Sequence, residues 1–161
     1  MYIYIKEHYL IADIMFSGPF YINSKNYRKF YIGSKNGKDY KITREKEASK
    51  VYIVSPGLTG KRGTISFESA EKPGYFLRHY GFHISLETKA TARNPAIFEK
   101  DATFQKKTDK FNKGFVSFES TNYPGRYIRH QGYRLKISKQ DKSQLFKDDA
   151  SWKVVQNPGI L

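Results

Sequence analysis

The chain has 161 residues, with Lys+Arg 29 against Asp+Glu 15 and a formal net charge of +14, and 16% of its residues are aromatic. This length suits one domain with a single hydrophobic core. The sequence contains no cysteine, which excludes a disulfide framework, a thiolate metal site and a cysteine nucleophile. It also lacks any run of roughly eighteen apolar residues, so we expect no membrane span.

The positive charge leaves two interpretations open. The basic residues are scattered, and the densest runs, at residues 106–107 and 136–142, are short and mixed with polar or acidic residues. One interpretation is a lysine-rich solvated surface, and the other is an anionic partner such as an acidic polysaccharide. Because nothing resembles a basic arm, no nucleic-acid partner is expected.

Residues 1–18 are apolar and aromatic. They are interrupted by Lys6, Glu7, His8 and Asp13, so they lack the uninterrupted apolar core of a signal peptide. We therefore predict an N-terminal extension or strand in residues 1–18, ahead of a domain in residues 19–161.

The domain contains an internal repeat, which is the strongest signal in the sequence. The motif SFES begins at residue 66 and again at residue 117, an offset of 117 − 66 = 51. The other matching segments are PG (73–74 and 124–125), FLRH and YIRH (76–79 and 127–130), and FEKDATF and FKDDASW (98–104 and 146–152).

A weaker third copy precedes these two. Residues 48–58 match residues 150–160 at an offset of 150 − 48 = 102, which is twice 51. In this copy Gly33 and Ser34 stand in place of Arg-His, and Glu47 stands in place of the aspartate. We therefore divide the domain into three repeat units, at about 19–64, 65–115 and 116–161.

Each repeat unit is predicted to consist of short strands. Apolar and polar residues alternate in segments such as 116–120, and Pro-Gly and Asn-Gly pairs mark turns between them. No segment shows a sustained helical period. We predict an all-β fold, and three units favour a β-trefoil, because a propeller needs about four blades. An open β-sandwich remains the alternative.

The repeated pattern SFES-x3-PG-x-[YF]-[IL]-RH, followed by F-x2-DA-[ST]-[FW], resembles a known family over residues 19–161. That family is the AbfB domain of α-L-arabinofuranosidases, which is grouped with family 42 carbohydrate-binding modules. The resemblance implies a non-catalytic, extracellular β-trefoil whose pockets bind arabinofuranosyl side chains or related glycans. It implies no cofactor and no metal.

The resemblance also implies which residues contact the sugar. A carboxylate accepts hydroxyl hydrogens and an imidazole donates or accepts one more, which suits a small sugar. The first unit, which lacks the pattern, is expected to be structural. The sugar-binding residues implied in the second and third units are His79, Tyr80, Asp101, His130, Gln131 and Asp149.

Structural interpretations of the same residues stay open. A strand histidine is often a satisfied structural residue, and an aspartate can anchor a turn. We expect Glu68 and Glu119 to pair with Arg78 and Arg129 inside their own units. We also predict that the recurring aromatic residues form the core rather than a ligand platform; these are Phe67, Phe76, Phe82, Phe104, Phe118, Tyr127, Tyr133 and Trp152.

Other functional classes compete with sugar binding. An enzyme is not expected, because glycoside hydrolysis needs two carboxylates across one bond and the repeated carboxylates fall in different units. A basic trefoil that binds an acidic polysaccharide or a protein receptor is the main alternative. A third possibility is the recognition domain of a larger toxin or enzyme.

Overall fold

The computed structural model describes residues 14–158. Of the predicted N-terminal extension, residues 1–13 lie outside the described residues. The described part consists mainly of β-strands, so the predicted all-β class is confirmed. No helix within it is long and apolar enough to cross a membrane.

Twelve strands and two α-helices are present between residues 14 and 158. The strands are β1 (Met15–Ser24), β2 (Phe30–Gly33), β3 (Lys41–Arg44), β4 (Val51–Ser55), β5 (Ser66–Ser69), β6 (Tyr75–Tyr80), β7 (His83–Thr88), β8 (Phe104–Thr108), β9 (Val116–Ser120), β10 (Arg126–Gln131), β11 (Arg134–Lys139) and β12 (Trp152–Val155). The α-helices are α1 (Pro95–Asp101) and α2 (Gln144–Asp149), and two 3-10 helices span Glu45–Glu47 and Lys89–Thr91.

The helices are short and occupy equivalent places in the second and third units. They contain 7 and 6 residues, which is too few to produce a helical period that the sequence would show. Asn94 caps α1 and Ser143 caps α2, each accepting a hydrogen bond from a backbone N–H of the first turn. Each helix ends on the aspartate of the repeated motif.

The strands form one closed sheet. Following the pairings, the circuit runs β1, β4, β5, β6, β7, β11, β10, β9, β12 and back to β1. The hairpin β2–β3 connects β1 to β11, and β8 pairs with β9. A bridge between Ile65 and Phe104 also joins the start of β5 to β8. Because β1 pairs with β12, the first and last strands of the described chain lie side by side.

Three hairpins recur, one in each unit: β2–β3, β6–β7 and β10–β11. The second and third have two-residue loops, Gly81-Phe82 and Gly132-Tyr133. Phe82 and Tyr133 have φ values of 66° and 65°, which bulky residues adopt rarely but which a type I′ turn requires. This turn carries both aromatic rings to the hairpin tips, where they are 38% and 48% exposed. The prediction that these two rings belong to the core is therefore wrong.

The other aromatic residues of the repeat mostly behave as predicted. The ring of Phe67 packs edge-on against Phe118, with centroids 4.9 Å apart. Such buried aromatic rings are the main source of hydrophobic stabilisation in a core of this size. The fully buried members are Phe67, Phe104, Phe118, Tyr127 and Trp152. Phe76, also predicted to be a core residue, is only half-buried.

The predicted boundary between extension and domain falls inside β1, which begins at Met15. Residues 15–17 of this strand pair with β4. The strand therefore continues from the predicted extension into the first repeat unit.

Candidate functional site

The predicted His–Asp pair of the second unit is brought together. His79 lies on β6 and Asp101 is the last residue of α1, and His79 Nε2 lies 3.6 Å from Asp101 Oδ1. Both residues are buried, with exposed fractions of 3% and 6%. Helix α1 therefore positions one member of the pair and strand β6 positions the other.

Arg78 holds the carboxylate of Asp101 in place. One guanidinium nitrogen donates to Asp101 Oδ2 at 2.6 Å and another donates to Glu87 Oε2 at 2.9 Å. Burial opposes the charge of Arg78, but its bonds to the two carboxylates prevail and raise its pKa. The predicted partner Glu68 instead accepts a hydrogen bond from the backbone N–H of Gly74 at 2.7 Å.

The third unit repeats this ion pair. Arg129 donates to Asp149, and both residues are buried. Glu119 accepts a hydrogen bond from the hydroxyl of Tyr127 at 2.6 Å. The predicted pairing of the SFES glutamates with the arginines is therefore wrong in both units, because the helix aspartates take that position.

Asn122 is a third member of the cluster that was not predicted from the sequence. The neutral ring of His79 donates through Nε2–H to Asn122 Oδ1 at 3.0 Å, and Ser120 Oγ donates to the same oxygen at 3.0 Å. Asn122 Nδ2 donates to Asp101 Oδ1 at 2.7 Å. Asn122 belongs to the next repeat unit, so the cluster is assembled across a unit boundary.

Tyr123 adds an aromatic ring at the edge of the same cluster. Its ring packs edge-on against His79, with centroids 5.4 Å apart, and against Phe82 at 5.5 Å. The guanidinium carbon of Arg126 lies 4.0 Å from the centroid of Phe82. Because Tyr123 is 45% exposed, the two rings form an aromatic rim beside buried polar groups. We call His79, Asp101, Asn122 and Tyr123 the His79 cluster.

An equivalent set, which we call the His130 cluster, comprises His130, Asp149, Asn26 and Tyr27. His130 Nε2 donates to Asn26 Oδ1 at 2.8 Å, and Asn26 Nδ2 donates to Asp149 Oδ1 at 2.8 Å. His130 Nε2 lies 3.5 Å from Asp149 Oδ1. Tyr27 packs edge-on against His130 with centroids 5.2 Å apart, and it also contacts Tyr133 at 5.6 Å. The two clusters therefore share residue types, distances and a rim.

The protonation state of the histidines follows from their surroundings. Burial lowers the pKa of His79, although Asn122 and Asp101 favour its charged form, and burial likewise lowers the pKa of His130. Both rings are therefore neutral at pH 7. With the proton on Nε2, each Nδ1 is an acceptor, and within residues 14–158 neither Nδ1 takes part in a hydrogen bond. Each aspartate likewise keeps acceptor capacity beyond its two bonds.

The other two predicted residues lie beside the clusters rather than inside them. Tyr80 is 72% exposed, and its ring centroid is 5.0 Å from the guanidinium carbon of Arg78. Gln131 accepts a hydrogen bond from Lys136 Nζ at 3.2 Å. Each follows its histidine on the strand, so its side chain leaves the strand on the side opposite to the imidazole. Tyr80 shares that side with Arg78, whose guanidinium reaches Asp101.

The junction between the first and second units forms no such cluster. A Cβ atom on Gly33, which replaces the arginine, would lie 2.3 Å from the backbone oxygen of Glu47 and 2.6 Å from Thr43 Oγ1. An arginine therefore has no room there. The second unit also supplies Glu71 and Lys72 where the other units supply asparagine and tyrosine.

A short recurring motif could have revealed the missing residues. Ser-x-Asn-Tyr occurs at residues 24–27 and 120–123. In both places the serine hydroxyl accepts the tyrosine N–H, at 3.3 and 3.2 Å, and fixes the turn. The part of the chain that the structure describes contains no group of three or more potential metal ligands.

The fold and the paired clusters define a small all-β domain with repeated polar sites, which is the architecture of a binding module. The model of the alpha-L-arabinofuranosidase B (ABFB) domain matches residues 20–154. The chain belongs to this family, which confirms the resemblance found in the sequence motifs.

Two proteins similar in sequence to this chain are much longer than it is. The chain is 37% identical over 122 residues to alpha-L-arabinofuranosidase B of Emericella nidulans, covering 70% of this chain and 23% of that protein. It is 32% identical over 115 residues to otogelin-like protein of Mus musculus, covering 69% of this chain and 5% of that protein. The chain therefore spans less than a quarter of the length of these relatives.

A solved structure shares the fold. It is a crystal structure of arabinofuranosidase complexed with arabinofuranosyl-alpha-1,2-xylobiose, with a TM-score of 0.69 and 24% identity. The match covers 87% of this chain and 31% of that one.

Proposed function

We propose that this chain is a non-catalytic carbohydrate-binding module with two equivalent sugar sites, the His79 cluster and the His130 cluster. The observation that carries the proposal is the repetition of one four-residue cluster at two unit junctions. A repeated binding site gains avidity on a branched polymer, whereas a single catalytic centre needs no second copy.

We further propose that the fold is a β-trefoil. Strands β1, β4, β5, β8, β9 and β12 pair in a ring once the bridge between Ile65 and Phe104 is included. The three remaining pairs of strands are the three hairpins. In this division each repeat unit contributes two strands to the ring and one hairpin, and this threefold repetition supports the trefoil.

In this proposal each site offers a sugar two kinds of contact. Histidine Nδ1 and the remaining lone pairs of the aspartate accept hydroxyl hydrogens. The exposed rim, Tyr123 with Phe82 or Tyr27 with Tyr133, provides an apolar surface for the sugar ring. Tyr80 and Gln131 are proposed as outer contacts.

The ligand we propose is an arabinofuranosyl side chain or a related glycan, by analogy with the named relatives. We also propose an extracellular role, as the family resemblance implies. Because the relatives are much longer than this chain, we further propose that it acts beside a larger glycan-degrading or glycan-binding protein. A purely structural role for the clusters is the competing interpretation, since their polar groups already bond to one another.

Calorimetric titration with an arabinofuranosyl-substituted xylo-oligosaccharide tests the proposal. We expect two sites per chain and no heat with the unsubstituted oligosaccharide. His79→Ala and His130→Ala should each remove one site and the double variant both, whereas His83→Ala, at an exposed histidine outside the clusters, should keep two.

Because His79 and His130 are buried, Tyr123→Ala and Tyr27→Ala provide a second test at exposed positions. Each should weaken one site while the thermal midpoint changes little. Absence of binding to any neutral glycan, or full binding by the double histidine variant, would refute the proposal.

A further inference from the structure

A cavity of about 700 Å³ opens where the tips of the three hairpins meet. Its buried lining comes from all three, namely Tyr40, Ile84 and Leu135. Tyr40 N donates to Ile84 O at 3.2 Å, and Leu135 N donates to Tyr40 O at 3.1 Å. The base of this hairpin cavity is therefore held by hydrogen bonds between the hairpins, and none of its lining belongs to the His79 or His130 cluster.

The rim of the hairpin cavity is basic. Lys35, Lys41 and Arg134 line it together with the exposed His83. Arg134 and Lys41 are direct partners in the pairing of β11 with β3. Like charges placed directly opposite each other destabilise a sheet, so a bound anion would relieve this repulsion.

The rim cations are not neutralised by neighbouring acids. Within residues 14–158, Lys35, Lys41 and Arg134 form no ion pair. The acid in the lining, Asp39, accepts a hydrogen bond from Asn36 Nδ2 at 2.9 Å. Three cations against one carboxylate leave the cavity with an excess of positive charge.

We propose that the hairpin cavity binds an anionic sugar unit, one that carries a carboxylate or a sulfate group. Its volume is in the range of small-ligand pockets, about 300–1,000 Å³. The lining combines cations with Ile84, Leu135 and the exposed ring of Tyr133, which suits a ring with one apolar face and one charged substituent. A compact pocket fits nucleic acid poorly, because a nucleic-acid backbone requires an extended basic stripe.

The hairpin cavity adjoins the His130 cluster through one residue. Tyr133 lines the cavity and its ring also packs on Tyr27, with centroids 5.6 Å apart. A branched acidic glycan could therefore place a charged unit in the cavity and a neutral side chain at the cluster. Binding of the anion does not depend on that second contact.

Calorimetric titration at low and moderate salt tests the inference with four probes: a galacturonic acid trisaccharide, its neutral galactose counterpart, a sulfated disaccharide and a single-stranded DNA oligonucleotide. We expect one site per chain for an acidic saccharide, weakened by salt, and at least tenfold preference over the neutral counterpart. The two acidic saccharides distinguish carboxylate from sulfate recognition, and binding of either supports the inference.

The variant Lys41→Gln/Arg134→Gln should weaken that binding at least tenfold without lowering the thermal midpoint. The matched control, Lys110→Gln/Lys113→Gln, removes two exposed charges outside the cavity and should change affinity less than twofold. Equal loss in both double variants, binding of DNA alone, or binding of neither acidic saccharide would overturn the inference.

A further control separates this site from the sugar sites proposed above. The variant His79→Ala/His130→Ala should keep full affinity for the acidic saccharide. Conversely, Lys41→Gln/Arg134→Gln should keep both arabinofuranosyl sites. Each proposal can therefore fail without the other.

Discussion

The junction between the first and second repeat units and the junction between the second and third are built from equivalent hairpins, yet only the latter forms a polar cluster. At the latter, Arg78 reaches from β6 to the carboxylate that ends α1. At the former, Gly33 holds the equivalent position and the backbone of Glu47 lies against it. Backbone atoms of the first unit therefore occupy the space that the arginine side chain occupies in the second unit.

This difference shows that the cluster depends on contributions from two units at once. The His79 cluster needs Arg-His and Asp from one unit and Asn-Tyr from the next. At the former junction both halves differ: Gly33-Ser34 and Glu47 stand at the positions of the first half, and Glu71 and Lys72 stand at those of the second. We call the junction between the first and second units, where the backbone of Glu47 lies against Gly33, the closed junction. Three substitutions and one change of pH test either the His79 cluster or the closed junction.

The largest effect is expected from Asp101→Ala. The substitution removes one of two acidic partners of the buried Arg78, and breaking a buried ion pair from one side costs about 3–5 kcal/mol. Because Glu87 still accepts a bond from Arg78, we expect the lower end, about 3 kcal/mol, in the free energy of unfolding measured by urea denaturation.

The matched control is Glu47→Ala at the closed junction. Within residues 14–158 Glu47 forms no ion pair, so its loss should change stability by about 0.5 kcal/mol or less. If both substitutions cost the same, the carboxylate of Asp101 does not anchor Arg78.

Gly33→Ala should produce the next largest effect. A methyl group at this position meets the backbone oxygen of Glu47 at 2.3 Å, and overpacking of this kind costs about 1–3 kcal/mol. We expect a loss of about 2 kcal/mol in the free energy of unfolding, measured by thermal or urea denaturation.

Gly37→Ala distinguishes steric contact from backbone conformation. Gly37 has a φ of +72°, and a methyl group added there would meet nothing within 4 Å, so it should lose only about 1 kcal/mol. A smaller loss at Gly33 than at Gly37 would mean that the closed junction has room to adjust.

Asn122→Ala should affect binding more than folding. It removes the amide that orients both His79 and Asp101, and a lost hydrogen bond of this kind is worth about 1–1.5 kcal/mol, or roughly tenfold in affinity. Titration with the arabinofuranosyl oligosaccharide should show one weakened site and one unchanged site.

Asn26→Ala should give the same pattern at the other cluster, and Glu71→Ala at the closed junction should leave both sites intact. Loss of both sites from either asparagine substitution alone would contradict the independence of the two clusters.

The smallest effect is expected from pH. Burial lowers the folded-state pKa of His79 and His130 below the unfolded value, so the unfolded chain binds protons first as the pH falls. Their contribution to stability should be constant above about pH 7 and decline below about 6.5. Urea denaturation across the range from neutral to mildly acidic pH measures this slope.

The variant His79→Gln/His130→Gln should flatten that slope, while His83→Gln, at an exposed position, should keep it. A double variant with an unchanged slope would mean that other groups titrate in this range.

Much of the fold and half of each cluster follow from the sequence, because the repeat aligns equivalent residues. The resemblance to the AbfB family then implied the pairs His79–Asp101 and His130–Asp149 at those aligned positions. Asn26 was not predicted, since 123 residues separate it from Asp149 and only the closed sheet brings them together. Each His–Asp pair was predicted within one repeat unit, whereas each cluster in the structure is assembled from two.

The errors have local physical causes. Phe82 and Tyr133 continue the apolar pattern of the repeat, but positive φ values at the hairpin turns carry both rings outward. Glu68 and Glu119 were paired with the arginines because strand alternation places them near each other. The short helices α1 and α2, which gave no periodic signal, supply the carboxylates that take those positions.

The pairing of β1 with β12 affects both the order in which the molecule folds and its resistance to unfolding. The His130 cluster cannot exist until the final repeat unit has been made and has returned to the first, so it is among the last contacts the chain can complete. A sugar bound there, as proposed above, would contact the first and the third repeat units at once. Because such a ligand would bind only the folded form, it would oppose separation of β1 from β12 and reduce the proteolysis that follows that separation.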